Sequence, residues 1–237
     1  MIDTVLFDCW GTLLQAPSLM TRGATIEYFY KYFKSNAQDI EYEVFKEKYI
    51  EIAKKQHKDA MKDYRELDYV YRLESTLRAL GFNADKRSEL ARKVWSGYLS
   101  EWPKQSTPYS ETSGVLSSLR GRYKLGLVTN FPDGSTARQV FNKFDFSSIF
   151  DSIVVSGDVG FRKPNRLLFD VALSQLNSAP EFAVMIGDTF EADVLGARGA
   201  GIKSVLIDAD DSQAENHQRS DAVVKGIGEV ETILSSL

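Results

Sequence analysis

The sequence has few features that would place the protein outside a reducing, aqueous compartment. It has one cysteine, Cys9, which excludes an internal disulfide and favours a cytoplasmic protein. No apolar run approaches the ~18 residues of a membrane-spanning helix, and no signal peptide precedes the first predicted strand, so we expect no membrane association. A basic excess is also missing, since 29 lysines and arginines stand against 33 acidic residues, for a net charge of −4. This balance gives no electrostatic basis for nucleic-acid binding.

The composition is that of an ordinary globular protein. The chain has 237 residues, of which 43% are hydrophobic and 26% charged. This length suits one large domain, or a core domain with a smaller attachment. Internal repeats and low-complexity segments are absent, and nothing in the sequence indicates an oligomeric state.

Short apolar runs recur along the chain, with helical spacing between most of them. They predict strands at Thr4–Phe7, Leu125–Val128, Ser152–Val155, Phe182–Ile186, Ser204–Ile207 and Ala222–Val224. Continuous apolar runs of this length are typical of strands buried on both faces of a parallel sheet. The alternation of strand and helix therefore predicts an α/β fold with a doubly wound parallel sheet. In such a sheet every loop that follows a strand lies at one edge, where ligands bind.

The segment between Leu14 and about Pro103 interrupts this alternation, because it contains only helical patterns. Four apolar stripes are present: Ile26, Phe29, Tyr30 and Phe33; Phe45, Tyr49, Ile52 and Ala53; Val70, Leu73, Leu77 and Leu80; Leu90, Val94 and Tyr98. Gly81 gives the third stripe a helix C-terminus. We therefore predict an all-α helical-bundle cap over residues 15–103, inserted into a core made of residues 1–14 and 104–237. Because the insertion follows the first strand, we expect it to act as a lid.

Four stretches carry polar side chains at the end of a predicted strand or at the start of the next helix. They are "DCWGT" with Asp8, "GLVTN" with Thr129 and Asn130, "GFRKPN" with Lys163, and "GDTFEAD" with Asp188 and Asp193. All four should converge on the same edge of the sheet. A carboxylate, a hydroxyl, an ammonium and two further carboxylates at one place indicate catalysis rather than packing.

Taken in order and together with the inserted helices, the four stretches resemble the haloacid dehalogenase-like hydrolase superfamily over the whole chain. The resemblance implies a Rossmann-like core and a phosphatase that acts on a small phosphorylated substrate. It implies that Asp8 is a nucleophile forming an aspartyl intermediate, that Thr129 hydrogen-bonds the transferred group, and that Lys163 is the cation beside the nucleophile. It also implies a Mg²⁺ ion bound by Asp8 and Asp188, with Asp193 supporting the ion or its waters.

Physical chemistry supports these roles independently of the resemblance. An anionic nucleophile must approach an anionic phosphate, and a divalent cation between Asp8 and Asp188 would screen the repulsion. Lys163 would do the same from another side, while Thr129 with backbone N–H groups would bind phosphate oxygens. Without a cation, neighbouring carboxylates raise one another's pKa and become poorer nucleophiles. The acid cluster therefore implies a metal.

Trp10 departs from the family pattern. Most phosphatases of the superfamily carry at this position an aspartate that protonates the leaving alcohol, whereas an indole N–H only donates and does not titrate near neutrality. The backbone carbonyl of residue 10 remains a predicted metal ligand, and Trp10 and Asn130 are predicted to contact the substrate. A phosphatase would then take the proton from a metal-bound water or from another acid, for which Asp59, Asp63, Glu66 and Glu191 are the candidates. Alternatively, it would favour esters with good leaving groups, which need less protonation.

Several alternatives remain open at this stage. A 2-haloacid dehalogenase needs no proton for its leaving halide and tolerates an aromatic residue at position 10, but it uses no metal and normally lacks the acid at position 188. A phosphonoacetaldehyde-hydrolase-like enzyme would use a cap lysine, for which Lys54 with His57 one turn away is the candidate. An inactive binding protein would have little need of a nucleophile. A cysteine-based phosphatase would need an arginine six positions after Cys9, where Gln15 stands.

Overall fold

The structure, a computed structural model, describes residues 1–36 and 40–237. It divides into two compact units, which we call the core unit (Met1–Ala16 with Ser106–Leu237) and the helical unit (Pro17–Gln105). The strands are β1 (Thr4–Phe7), β2 (Leu14–Gln15), β3 (Thr107–Pro108), β4 (Lys124–Thr129), β5 (Ser152–Val155), β6 (Ala183–Gly187), β7 (Lys203–Ile207) and β8 (Ala222–Val224). All of them belong to the core unit.

The helices fall into two groups. The helical unit contains α1 (Arg22–Asn36), α2 (Tyr42–Ala60), α3 (Tyr69–Ala79), α4 (Ala84–Leu99) and α5 (Trp102–Gln105). The core unit contains α6 (Thr112–Leu119), α7 (Gly134–Lys143), α8 (Phe146–Ile149), α9 (Ser156–Val159), α10 (Arg166–Leu176), α11 (Leu195–Ala200) and α12 (Val230–Leu234). Short 3₁₀ turns lie at Ser18–Met20, Pro180–Phe182, Ala214–Arg219 and Ile227–Glu229, and a π-turn at Phe190–Val194 precedes α11. None of the helices in the described part of the chain is long and apolar enough to cross a bilayer.

The large sheet confirms the predicted α/β architecture. Its six strands are all parallel and run in the order β5-β4-β1-β6-β7-β8. β1 is central, with Phe7 opposite Leu127 of β4 on one side and Ile186 of β6 on the other. The loops that follow β1, β4 and β6 therefore leave the sheet next to one another. This brings together the polar residues that follow these three strands in the sequence.

All six predicted strands are confirmed within one or two residues, with one boundary correction. Phe182 was predicted to open the fourth strand, but it closes a 3₁₀ turn and is exposed. Sequence reasoning missed the pair formed by β2 and β3, in which Leu14 pairs with Pro108 and Gln15 with Thr107 in antiparallel fashion. A two-residue strand is too short to show a periodicity, so this pairing had no sequence signal.

The sheet is buried on both faces because side chains alternate along each strand. One face carries Leu6, Val128 and Met185, which pack with apolar side chains of α10 and α11 in a single buried cluster. Val5 and Phe7 alternate with Leu6 and are also fully buried, and Phe7 meets Phe150 edge to face at 6.2 Å between ring centroids. The strands are apolar on both faces because helices cover both sides of the sheet.

The helical unit confirms the four predicted helices and adds the short α5. Its interior is aromatic: Phe29 lies 5.7 Å from Tyr49 and 5.0 Å from Tyr98, measured between ring centroids. Gly81, at φ +83°, follows the last turn of α3 as predicted for a helix terminus. The buried guanidinium of Arg72 lies 4.3 Å from the ring centroid of Tyr69, a cation–π contact inside the unit.

Candidate active site

Asp8 stands at the carboxyl end of the central strand. Its backbone N–H donates to Ile186 O at 2.9 Å, which extends the β1–β6 ladder by one residue before the chain turns away. The turn passes through Gly11 at φ +92°, a backbone conformation that residues with a Cβ rarely adopt. A Cβ at Gly11 would also lie 2.2 Å from Oδ2 of Asp188. The glycine therefore allows the Asp188 carboxylate to approach the loop that carries Asp8.

Lys163 links two acids of the site. Its Nζ donates to Asp8 Oδ1 at 2.7 Å, to Asp193 Oδ1 at 2.6 Å and to Val128 O at 2.6 Å, and only 2% of the residue is exposed. Burial by itself would lower the pKa of Lys163, but the charges of Asp193 and Asp8 outweigh it and the pKa is raised. The lysine is therefore a fixed positive charge between two carboxylates.

Asn130 holds the lysine by its backbone. Its Oδ1 accepts from Lys163 N at 2.7 Å and its Nδ2 donates to Lys163 O at 3.1 Å. The side chain predicted to contact the substrate thus bonds both backbone groups of Lys163. Thr129, the preceding residue, is the last residue of β4 and is almost fully buried. Asn130 therefore fixes the backbone from which Lys163 reaches the site, and Thr129 ends the strand directly before Asn130.

Asp188 and Asp193 lie on the turn after β6. Asp193 Oδ2 accepts from Thr189 N at 3.0 Å, while its Oδ1 binds Lys163. Gly187 is needed here because a Cβ would lie 2.2 Å from Asp193 Cγ. Asp188 accepts at Oδ1 from the Thr12 hydroxyl at 3.3 Å, a contact that joins this turn to the loop after β1.

Negative charge exceeds positive charge in this cluster. One carboxylate oxygen from each of Asp8, Asp188 and Asp193 lies within 4.8 Å of the other two. Burial, then repulsion from Asp8 and Asp193, raises the pKa of Asp188 to about 7. Burial also raises the pKa of Asp193 to about 6, against the lowering effect of Lys163. One lysine therefore leaves the cluster short of positive charge, and closely spaced carboxylate oxygens are the ligands preferred by Mg²⁺.

The Trp10 side chain is part of the hydrophobic packing of the core unit. Its ring stacks on Phe131 at 4.6 Å between centroids and lies 6.0 Å from Phe141, and its Nε1 donates to Ser106 Oγ at 3.3 Å. The indole N–H thus already has an acceptor. The backbone of residue 10 lies in the turn directly after Asp8, where its predicted role as a carbonyl ligand requires it.

The neighbouring thiol of Cys9 is unsuited to nucleophilic chemistry. The side chain is fully buried, and burial, followed by the charge of Asp8, raises its pKa well above the ordinary value. A thiol needs to ionise to attack phosphorus or carbon. Cys9 is therefore a small buried residue of the core unit and not a candidate nucleophile.

Four of the candidate residues in the helical unit are exposed, namely Lys54, His57, Asp59 and Asp63. Lys54 and His57 lie on the solvent face of α2, whereas lysine nucleophiles are generally desolvated in apolar pockets. Asp59 pairs with Lys62 at 2.7 Å and Asp63 with Arg65 at 2.6 Å. These contacts account for the charges of both acids without a catalytic role.

The two other candidate acids differ in their settings. Glu66 accepts at Oε1 from the backbone N–H of Leu67 at 2.8 Å in the helical unit. Glu191 is exposed in the π-turn between Asp188 and Asp193 in the core unit. Of the candidate acids, Glu191 is therefore the one that lies on the same π-turn as a residue of the acid cluster, Asp193.

Sequence reasoning missed the side chain of Gln213, which reaches this turn from the segment after β7. Its Nε2 donates to Asp188 O at 2.8 Å and its Oε1 accepts from Phe190 N at 3.0 Å. Gln213 lies in a polar loop with no periodicity, so nothing in the sequence distinguishes it from a solvated glutamine.

Comparisons with known proteins agree with this geometry. The profile of the haloacid dehalogenase-like hydrolases matches residues 2–201. A glyceraldehyde 3-phosphate phosphatase from Methanothermobacter thermautotrophicus is 35% identical over 111 residues, which are 46% of this chain and 48% of the relative. The chain thus spans about half the length of that curated relative.

Two solved structures share the fold over the whole chain. A 2-haloacid dehalogenase from Pseudomonas syringae has a TM-score of 0.77 at 20% identity, covering 100% of this chain and 99% of that one. A magnesium-bound haloacid dehalogenase-like (HAD) hydrolase from Bacillus subtilis has a TM-score of 0.70 at 21% identity, covering 99% of each chain. The profile match, over most of the sequence, shows that the chain belongs to the haloacid dehalogenase-like hydrolase family.

Proposed function

We propose that the protein is a Mg²⁺-dependent phosphatase that hydrolyses a small phosphorylated metabolite through an aspartyl-phosphate on Asp8. The observation that carries the proposal is the cluster of Asp8, Asp188 and Asp193, whose carboxylate oxygens lie within 4.8 Å of one another. Lys163 pairs with only two of the three acids. Carbon–halogen chemistry has no need of the third carboxylate, whereas a phosphate-binding cation does.

The donor set fits Mg²⁺. Side-chain oxygens of Asp8 and Asp188 and the backbone carbonyl of Trp10 would hold the ion, and Asp193 would orient its waters through the oxygens it also shares with Lys163 and Thr189 N. The pKa of about 7 for Asp188 is the consequence of an acid buried beside other acids without sufficient counter-charge. When bound, Mg²⁺ supplies charge neutralisation between the carboxylates and the phosphate.

Asp8 is the proposed nucleophile. One of its oxygens attacks phosphorus, the bond from phosphorus to the leaving oxygen breaks, and the leaving alkoxide takes a proton from water or from Glu191. Water then attacks the same phosphorus, which releases inorganic phosphate and restores the carboxylate. Lys163, which contacts Oδ1 of Asp8 at 2.7 Å, fixes the orientation of the carboxylate and reduces its repulsion with the phosphate.

Thr129 and Asn130 have separate proposed roles. The Thr129 hydroxyl, at the end of β4, would donate to a phosphate oxygen. Asn130 would act on Lys163, since its amide bonds both backbone groups of the lysine. A contact from Asn130 to the substrate, as predicted from its position, would be in addition to this.

Trp10 sets a limit on the leaving group. Its indole N–H donates to Ser106 and carries no titratable proton. General acid catalysis is worth about 10²–10⁴-fold, so esters whose alkoxide is a weak base should lose least from its absence at position 10. We therefore expect aryl and acyl phosphates to be better substrates than alkyl phosphates.

The proposal is tested by phosphate release from p-nitrophenyl phosphate with Mg²⁺ and with a chelator, in the parent and in Asp8→Asn. We expect turnover that needs Mg²⁺ and disappears in Asp8→Asn. Asp145→Asn is a matched control, because this exposed aspartate precedes α8 and does not belong to the acid cluster. Turnover that persists with chelator, or in Asp8→Asn, would overturn the proposal.

A second candidate, dehalogenation, is favoured by the neutral aromatic residue at position 10. There Asp8 would attack carbon, and water would then hydrolyse the resulting ester at the Asp8 carbonyl. Turnover in heavy-oxygen water separates the two reactions, because a phosphatase places the label in phosphate and a dehalogenase places it in the Asp8 carboxylate. Chloride release from 2-chloropropionate without metal would reverse our preference.

A further inference from the structure

From the contacts of Gln213 we infer that this residue is a positioning residue that holds Asp188 in place for the metal. The inference rests on the proposed Mg²⁺ site. The Gln213 amide spans the backbone on either side of Thr189: Nε2 donates to Asp188 O at 2.8 Å, and Oε1 accepts from Phe190 N at 3.0 Å. Both ends of the amide are used in complementary fashion, so its orientation is determined by its partners.

The turn needs such a clamp because its two acids repel Asp8 and each other. Asp193 is restrained directly, by Lys163 on one oxygen and by Thr189 N on the other. Within the described part of the chain, no hydrogen bond or ion pair joins Asp188 to Lys163. The Asp188 carboxylate instead accepts a hydrogen bond from the Thr12 hydroxyl at 3.3 Å. The carboxylate that faces the least counter-charge is thus the one whose backbone Gln213 holds.

Gln213 is itself held by a buried carboxylate. Asp208, which follows β7 and is 2% exposed, accepts at Oδ2 from Gln213 N at 3.1 Å and contacts His217 Nε2 at 2.6 Å. The Ser212 hydroxyl reaches its other oxygen at 3.4 Å. The loop after β7 is therefore folded around Asp208. This carboxylate fixes the backbone of Gln213, from which the side chain extends to the turn after β6.

A lysine, Lys225, also binds this loop. Lys225 Nζ donates to Asp208 O at 3.2 Å and pairs with Asp211. Oxygens of Asp208 and Asp211 and a ring nitrogen of His217 also lie within 4.8 Å of one another. Since a lysine already supplies positive charge here, this second group is best explained as the support of the Gln213 clamp.

The chemistry at position 213 is specific to glutamine. Asparagine is one methylene shorter and cannot reach both backbone groups from the same place. Glutamate would accept from Phe190 N but would direct a second oxygen toward Asp188 O, which needs a donor. Partners that orient metal ligands from outside the coordination shell typically contribute about 10–100-fold to metal affinity.

The test is calorimetric titration of Mg²⁺ into the full chain, comparing the parent with Gln213→Met and Gln213→Glu. Methionine keeps the length of the side chain and removes both amide groups, and glutamate is nearly isosteric. We expect Mg²⁺ to bind about 10-fold more weakly to both variants. The Mg²⁺ concentration for half-maximal turnover should rise in parallel, while turnover at saturating Mg²⁺ stays close to that of the parent.

Gln175→Met is the matched control. Gln175 is an exposed glutamine on α10 whose Oε1 accepts from the Ser152 hydroxyl at the amino end of β5. This variant should bind Mg²⁺ as the parent does. If Gln213→Met lowers the unfolding temperature of the metal-free protein but leaves Mg²⁺ affinity unchanged, the role is merely structural and the inference is wrong.

The same titration separates this inference from the proposed function. A parent that binds no Mg²⁺ overturns both. A parent that binds Mg²⁺ and turns over phosphate esters, beside a Gln213→Met variant with equal affinity, overturns only the role of Gln213.

Discussion

Among single residues, Lys163 supplies the positive charge that Asp8 and Asp193 share. Its ammonium is buried between Asp8 and Asp193, so Lys163→Met leaves two carboxylates without their closest positive charge. Removing one partner of a buried ion pair typically costs about 3–5 kcal/mol of stability. We expect that loss in chemical denaturation of the metal-free protein, together with loss of turnover.

The matched control for this prediction is Lys124→Met. Lys124 begins β4 at the opposite end of the sheet, and its Nζ donates to Asn177 O at 2.8 Å on the surface. Its replacement should change stability by less than about 1 kcal/mol, as is usual for a surface hydrogen bond or ion pair. Equal losses in the two variants would show that Lys163 is not the central charge of the cluster.

The raised pKa of Asp188 predicts a pH dependence for the metal-free protein. In the folded chain its pKa rises from 3.8 to about 7. Between these values the folded state binds more protons than the unfolded state, so stability falls as the pH rises and levels off above about 7. Mg²⁺ competes with those protons, so the stabilisation it gives should grow over the same interval.

Thermal unfolding between about pH 4 and about pH 8, with and without Mg²⁺, measures this linkage. Asp188→Asn removes one of two titrating groups and should make the metal-free profile shallower, with the remaining fall due to Asp193, whose pKa is also raised, to about 6. A parent whose metal-free stability rises steadily through this interval would contradict the assignment of Asp188 as a destabilised acid.

Residues also show how far the sequence could predict the site. Asp8, Thr129, Lys163, Asp188 and Asp193 were predicted together because each follows a strand or opens a helix within a recognisable stretch. The direction of the Trp10 ring was not predictable, because it depends on where Phe131 and Phe141 lie in the folded chain. Gln213 was missed because its role depends on a turn that lies 25 residues away in sequence.

At the scale of elements, the loop after β1 and the turn after β6 approach as closely as their glycines allow. Gly11→Ala would place a Cβ 2.2 Å from Asp188 Oδ2 and impose a side chain at φ +92°. We expect this variant to lose Mg²⁺ binding and at least about 10²-fold of its turnover, since misplacing catalytic groups by about 1 Å has that effect.

Gly114→Ala is the control for this substitution. Gly114 lies on α6 with nothing within 4 Å of an added Cβ. Alanine in the first turn of this helix should leave activity unchanged and raise stability by at most about 0.5–1 kcal/mol. A Gly11→Ala variant with full activity would mean that the two elements do not need this close approach.

The strands were easier to predict than the short elements. Six buried runs sufficed for the large sheet, because parallel strands covered on both faces are continuously apolar. The pair of β2 and β3 joins Leu14–Gln15 to Thr107–Pro108, across the whole length of the helical unit in sequence. Such a pairing depends on a contact distant in sequence, so local patterns could not reveal it.

For the whole molecule, this pairing predicts that the core unit folds without the helical unit. Because β2 and β3 hold both ends of the insertion side by side, a short Gly-Ser linker from Ala16 to Ser106 should replace Pro17–Gln105. We expect a folded protein with a cooperative thermal transition that still binds Mg²⁺, since the acid cluster and Lys163 all belong to the core unit.

We further expect the shortened protein to discriminate poorly among phosphate esters, in line with the predicted lid function of the helical unit. The comparison is a panel of phosphorylated sugars, acids and nucleotides, tested on the full chain and on the shortened one. Unchanged preferences would remove the helical unit from substrate selection, and a shortened chain that does not fold would contradict its independence.

The most direct test of the whole account is to identify the residue that carries phosphate during turnover. The protein is mixed with Mg²⁺ and acetyl phosphate, quenched in acid within one turnover, and mapped by peptide mass spectrometry. The account predicts an acid-stable phosphoryl group on the peptide that contains Asp8, dependent on Mg²⁺ and absent in Asp8→Asn. Phosphate on any other residue, or turnover without a phosphorylated Asp8, would contradict it.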